Sequence, residues 1–190
     1  MANANVAFGL KPIRHAMSAG YNDGTDRYFV PASDVTPLYI GDPVILAGSA
    51  DANGVPTVTR AGATGLITGV VVGFSIDRTI VTNGYRAAST DCYVLVEHDP
   101  DALYEVQENG AMTAADAGLN ANLVAGNGNP YTRKSGFMLD SSTKAVTAGL
   151  QVRLVGLVQR PDNAFGTNAN WLVRINQTTE TAAAGSTGIA

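Results

Sequence analysis

The chain is 190 residues long, enough for one domain with appended arms and for burying roughly 70% of its unfolded surface. Charged residues are 15%, apolar residues 45%, and 21 residues are glycine, a balance that argues against disorder and against a bundle of long helices. Twelve basic side chains against sixteen acidic ones leave a net charge of −4, which excludes a broad basic face for nucleic acid.

Residues 1–27 carry few apolar side chains (Val6, Phe8, Leu10, Ile13, Met17 and Tyr21) and show neither helical period nor sustained alternation. Gly9, Pro12 and Gly20 interrupt them, so the stretch reads as an extended N-terminal arm with a few anchors. From Tyr28 the character changes. Short β-type runs follow at 28–30, 38–46, 56–60, 66–76, 91–98, 103–108, 136–139, 150–159 and 171–176, each ended by turn chemistry. Asn53-Gly54, Asn83-Gly84 and Asn109-Gly110 accept positive φ and suit hairpins or bulges. Asp99-Pro100 and Arg160-Pro161 end two more strands, because proline removes a ladder donor.

The runs at 68–73 and 153–158 share a glycine-flanked apolar pattern, expected where a strand bends. Trp171, Val173 and Ile175 alternate with Leu172 and Arg174, which predicts a core-facing tryptophan. Thr113 and Asp116, with Ala114, Ala115 and Ala117 before Gly118, predict a helical turn or two opened by a capping box. Residues 126–135 read as a polar, flexible excursion and 177–190 as a flexible C-terminal tail. The reading is an all-β domain at 28–176, a single β-barrel or jelly-roll-like sandwich of about 8–10 short strands with at most one or two short helices.

The lone cysteine, Cys92, excludes an internal disulfide and a cysteine-based zinc site, and its apolar neighbours Tyr93, Val94 and Leu95 make it a small core hydrophobe. Glu97-His98-Asp99-Pro100-Asp101 is the densest group of candidate ligands. Neighbours on a strand point to opposite faces, so it reads as a strand end entering a turn. His15 has no carboxylate within seven residues and reads as solvated or at an interface. Asp51-Ala52-Asn53-Gly54 lacks the remaining ligands of a calcium loop and reads as a hairpin turn. No nucleophile elbow, phosphate loop or dinucleotide fingerprint is present, so the sequence leads us to expect no enzyme, no metal and no cofactor. Nor does any apolar run approach the ~18 residues of a membrane span. The start, Met1-Ala2-Asn3-Ala4-Asn5, lacks signal-peptide character, which points to a protein kept in a cytosol or released by lysis.

Several motifs in order resemble the capsid cement, or head-decoration, proteins of tailed bacteriophages. They are Phe8-Gly9-Leu10-Lys11-Pro12-Ile13-Arg14, Gly41-Asp42-Pro43-Val44, Tyr85-Arg86-Ala87-Ala88-Ser89-Thr90 and Tyr104-Glu105-Val106-Gln107-Glu108. Gly156-Leu157-Val158-Gln159-Arg160-Pro161-Asp162-Asn163 and Trp171-Leu172-Val173-Arg174-Ile175-Asn176 complete the set, which spans residues 8–176. The resemblance implies a virion structural protein made in the bacterial host cytoplasm and added to the outer surface of an icosahedral head, where it bridges capsomers. It implies the major capsid protein and copies of itself as partners, as a homotrimer more readily than a homodimer, with no nucleic acid or membrane. In the arm, Phe8, Leu10 and Ile13 are spaced as pegs, and Lys11 and Arg14 flank them as carboxylate partners. An extended arm of this kind suits addition to a neighbour's sheet edge. The alternative is a β-sandwich glycan-binding module of a phage fibre or tail, for which Tyr21, Tyr85 and Tyr131 are the loop aromatics.

Overall fold

Valine- and threonine-rich runs set between Gly, Asn, Asp and Pro turns form short strands throughout, and the computed structural model describes residues 3–17, 21, 24–76, 81 and 83–180. In chain order the strands are β1 (Lys11–His15), β2 (Asp26–Val30), β3 (Pro43–Ala50), β4 (Pro56–Arg60), β5 (Gly69–Phe74) and β6 (Cys92–Glu97). They continue as β7 (Ala102–Gln107), β8 (Asn120–Ala121), β9 (Leu123–Val124), β10 (Met138–Leu139), β11 (Val152–Leu157) and β12 (Asn170–Ile175). All nine runs expected from the sequence hold a strand, and the fold is all-β. The capping-box segment forms one 3-10 turn, Ala114–Asp116, whose Asp116 carboxylate accepts from the Thr113 amide at 2.8 Å and from Lys144 at 2.8 Å.

Five strands close a barrel in the order β2-β4-β3-β5-β6, and five more make an antiparallel sheet in the order β1-β7-β12-β11-β8. Within the barrel only β2 and β4 run parallel, meeting at Phe29 and Thr57. Val30, Val44, Val58, Val71, Val94 and Val96 fill the barrel interior. Tyr104, Val106, Leu154, Trp171 and Val173 build the larger core against the sheet. The neighbours Val70 and Val71 separate the two: Val70 joins the sheet core and Val71 the barrel core. Adjacent strand residues face opposite sides, so β5 is a wall common to both.

Local chemistry explains the joints. In the β3–β4 hairpin, Asp51 Oδ1 accepts from the amides of Asn53 and Val55, each at 2.8 Å, and Asp51 also accepts from the Tyr93 hydroxyl. The Tyr93 hydrogen bond is the main influence lowering the Asp51 carboxyl, to about 2. Both glycine-flanked strands carry the expected irregularity, with register shifts between Val71 and Gly73 and between Leu154 and Gly156. Trp171 and Val173 are fully buried and Arg174 is exposed, as the alternation predicts.

Four segments differ from the sequence reading. Residues 11–15 of the arm form β1, which pairs with β7 of the same chain. The excursion at 126–135 is a hydrogen-bonded hairpin, with Asn129 accepting from Arg133 at 2.7 Å and donating to Lys134 at 2.9 Å. Asn109-Gly110 closes no hairpin; Asn109 Oδ1 accepts instead from the Ser141 amide and hydroxyl. The tail begins later than 177, since Gln177 and Thr179 hydrogen-bond Ile67 and Thr178 is buried; positions 181–190 lie outside the described residues, as do 1, 2, 18–20, 22 and 23 of the arm.

Candidate functional site

Two of the motifs that carry the resemblance meet back to back. The Leu10 amide donates to the Gly41 carbonyl at 3.0 Å, and Gly41 in turn donates to Val71 at 2.8 Å. Gly9 and Gly41 both lie at positive φ, +74° and +93°. A Cβ on Gly9 would sit 2.3 Å from the Gly41 oxygen, and one on Gly41 would sit 2.4 Å from the Phe8 oxygen. Each position therefore needs glycine twice over, for its dihedral and for the close approach. Gly41→Ala is expected to cost about 3 kcal/mol or more. At about 2–4 °C per kcal/mol for a chain of this size, the melting temperature falls by roughly 6–12 °C. Scanning fluorimetry reads this directly, and a shift under about 2 °C would show the contact to be dispensable.

Beside this junction Asp42 is fully buried, accepts from the Tyr39 amide at 2.8 Å and lies 3.7 Å from Arg60 Nε. Burial raises the Asp42 carboxyl, against the opposing pull of the Ser135 hydroxyl, Arg60 and the Tyr39 amide. Arg60 also donates to the Gly126 carbonyl and stands 4.6 Å over the Phe137 ring. One arginine thus ties the barrel to both ends of the hairpin at 126–137.

The junction borders a groove of about 280 Å³, whose lining includes Phe8, Lys11, Pro12, Tyr21, Ile40 and Lys134. A second cavity of about 320 Å³ shares Phe8 and Lys134 and continues to Val6, Gln107, Arg160 and Asn170. Residues 3–6 are laid over this second cavity by side-chain clasps. Gln107 donates to the Ala4 carbonyl at 2.7 Å and accepts from the Val6 amide at 2.9 Å, while Asn3 donates to the Ala164 carbonyl at 2.8 Å. Arg160 joins two further motifs, bonding Glu105 at 2.6 Å and Asp162 at 3.0 Å.

Of the five arm residues singled out as partner contacts, Phe8, Leu10 and Lys11 line the groove. Leu10 is 1% exposed and belongs to the sheet core, so it forms the base of the groove rather than an exposed peg. Ile13 is the bulged residue in the β1–β7 register and is partly exposed; Arg14 is exposed on the same edge, and neither lines the groove. The arm's main-chain bonds to a sheet edge are made to β7 of its own chain. Ile40, Gln107 and Lys134 lie far along the chain from Phe8 and Lys11, so no local pattern joins them to the arm. The one signal in their neighbourhood is the glycine run of 126, 128 and 136, whose missing side chains let this hairpin close on Tyr39 and on itself.

The other candidates have ordinary structural settings. Cys92 is buried in the barrel core. His98 Nε2 lies 3.4 Å from Asp26, and His15 Nδ1 lies 3.0 Å from Asp99, a partner distant in sequence. No group of three or more metal-ligating side chains occurs among the described residues, and none of their helices is long and apolar enough to cross a membrane. The three aromatics considered for glycans have separate surroundings: Tyr21 lines the groove, Tyr85 stacks on Tyr39 at 4.8 Å, and Tyr131 is 94% exposed on the hairpin. No family model, curated protein or solved structure matches the chain.

Proposed function

We propose that the protein is a structural component of a tailed-phage virion, a cement protein that coats the outside of the head and bridges capsomers. The observation that carries this reading is the convergence of the motifs behind the resemblance. Phe8-Gly9-Leu10 packs on Gly41-Asp42, and Arg160 joins Glu105 and Asp162. The two clusters border one cavity, whose lining includes Phe8, Arg160 and Asp162. A net charge of −4 suits an exterior position better than contact with packaged DNA. The partners on this reading are the major capsid protein and further copies of the chain.

Copy number tests it. Quantitative mass spectrometry of purified heads and tails is expected to find the protein in the head fraction, in hundreds of copies per particle. Recovery with tails in a few copies, or with neither, would overturn the assignment. Light scattering with and without heads reads self-association in the same preparation.

A further inference from the structure

We propose that the groove between β1 and the barrel docks an extended acidic segment of a partner protein, with carboxylates on Lys11 and Lys134 and an apolar side chain on the floor between them. This deepens the capsid reading by naming the partner's chemistry. Leu10, Ile40, Val71 and Val72 line the groove, and among the described residues its charged lining is Lys11 and Lys134, both exposed. The chain has three lysines in all, and the third, Lys144, bonds Asp116. Among the described residues neither Lys11 nor Lys134 is within ion-pairing distance of a carboxylate, whereas Arg160 and Arg174 are both paired. Two ammonium groups with no carboxylate partner among the described residues thus stand beside one apolar surface. A ligand that bears carboxylates next to an apolar side chain satisfies both features.

The site is held in shape before any ligand arrives. Ile40 donates to the Arg133 carbonyl at 3.3 Å and accepts from the Ser135 amide at 2.9 Å, which fixes Lys134 against the groove wall. Recognition falls to side chains rather than to strand addition at this edge. Pro12 has no amide hydrogen, and the Ile13 carbonyl already accepts from Tyr21 at 3.3 Å. Two cations over an apolar floor, in a chain of net charge −4, fit a nucleic-acid backbone poorly, since phosphate binding draws on many clustered charges.

The test uses the full chain and fluorescence anisotropy with a fluorescein-labelled hexapeptide, Gly-Asp-Leu-Val-Glu-Gly. Saturable binding at low salt is expected. It should weaken about 5- to 10-fold in the Lys11→Gln/Lys134→Gln double variant, and equally when the peptide's acids become Asn and Gln. Both lysines are exposed, so circular dichroism of the variant is expected to match the parent. Absence of saturable binding, or equal binding of acidic and neutral peptides, overturns the proposal. So does stronger competition by a twelve-nucleotide oligo-dT, which marks a phosphate site, or a homodimer that the double variant dissolves, which makes a second copy the occupant. A protein absent from heads that still binds the acidic peptide through these lysines overturns the capsid reading and leaves the groove standing. Loss of peptide selectivity in a protein abundant on heads does the reverse.

Discussion

Replacing Arg86 with methionine is expected to lower the stability of the fold by about 3–5 kcal/mol, the cost of stripping partners from a buried polar cluster. Arg86 is fully buried, and every nitrogen of its guanidinium is engaged. Nε donates to the Thr90 carbonyl at 2.9 Å, Nη1 to Thr36 at 2.5 Å, and Nη2 to Pro31 and Asp34 at 2.9 and 2.7 Å. Its main chain bridges Leu38 in both directions at 3.0 Å. The side chain therefore gathers the loop after β2 and the turn before β6 around one cation. Burial pulls the Arg86 pKa down, while Asp34, Cys92 and Asp91 pull it back. Methionine replaces the aliphatic stem but not the guanidinium, so the Thr36 and Thr90 carbonyls lose the side-chain donor outright and those of Pro31 and Asp34 keep one amide donor each. Lysine is expected to recover only part of the loss, because three donors on a point charge cannot span the fork. Urea denaturation measures the difference. A loss under about 1 kcal/mol would mean that water replaces the guanidinium at little cost.

Glu108→Gln is expected to change the pH dependence of stability. The carboxyl is fully buried, and burial raises it from 4.5 to about 7, with the Trp171 indole and the main chain of Met112 and Ala169 opposing the shift. The folded state thus holds a proton that the unfolded state has released. Stability contributed by the protonated group is complete below pH 4.5 and is lost as pH rises through about 7. Glutamine cannot ionise. The variant is expected to fall about 1 kcal/mol below the parent near pH 4, the cost of an amide left without a partner, and to exceed it by about 2 kcal/mol above pH 8. Asp42 shifts in the same direction and remains in both proteins, so the difference between the two profiles isolates Glu108. Melting temperatures from pH 4 to 9 give the comparison. Parallel profiles would mean that Glu108 ionises as readily in the fold as outside it.

What the sequence conveys well here is local. The Trp171, Val173, Ile175 alternation, the Asp51 turn and the Thr113–Asp116 cap each depend on residues within six positions, and each forms as read. β1 escapes detection because it is a bulged edge strand with a proline, paired on one side only, so no alternation is imposed on Lys11 to His15. β8 and β9 have two residues each, too few for any period. The buried ionic centres are illegible for another reason. Arg86 draws its acceptors from residues 31, 34, 36 and 90, and nothing in Tyr85-Arg86-Ala87 distinguishes it from a solvated arginine. The groove was half legible: Phe8 and Lys11 stood out in the arm, but Ile40 and Lys134 join them only through the fold.

The strand order has a consequence for the sequence of events during synthesis. Every barrel strand lies between Asp26 and Glu97, so the barrel holds all its parts once residue 97 has emerged from the ribosome. The sheet does not. Its second strand in order, β7, sits between β1 from the start of the chain and β12, which ends at Ile175. At about 5–20 residues per second, the stretch from Glu97 to Ile175 takes roughly 4–16 s to appear. During that interval β7 can pair with β1, but Tyr104 and Val106 still lack Trp171 and Val173. A nascent chain therefore passes through a stage with a finished barrel and a half-built apolar sheet, and its yield depends on what shields that sheet until the last strand arrives.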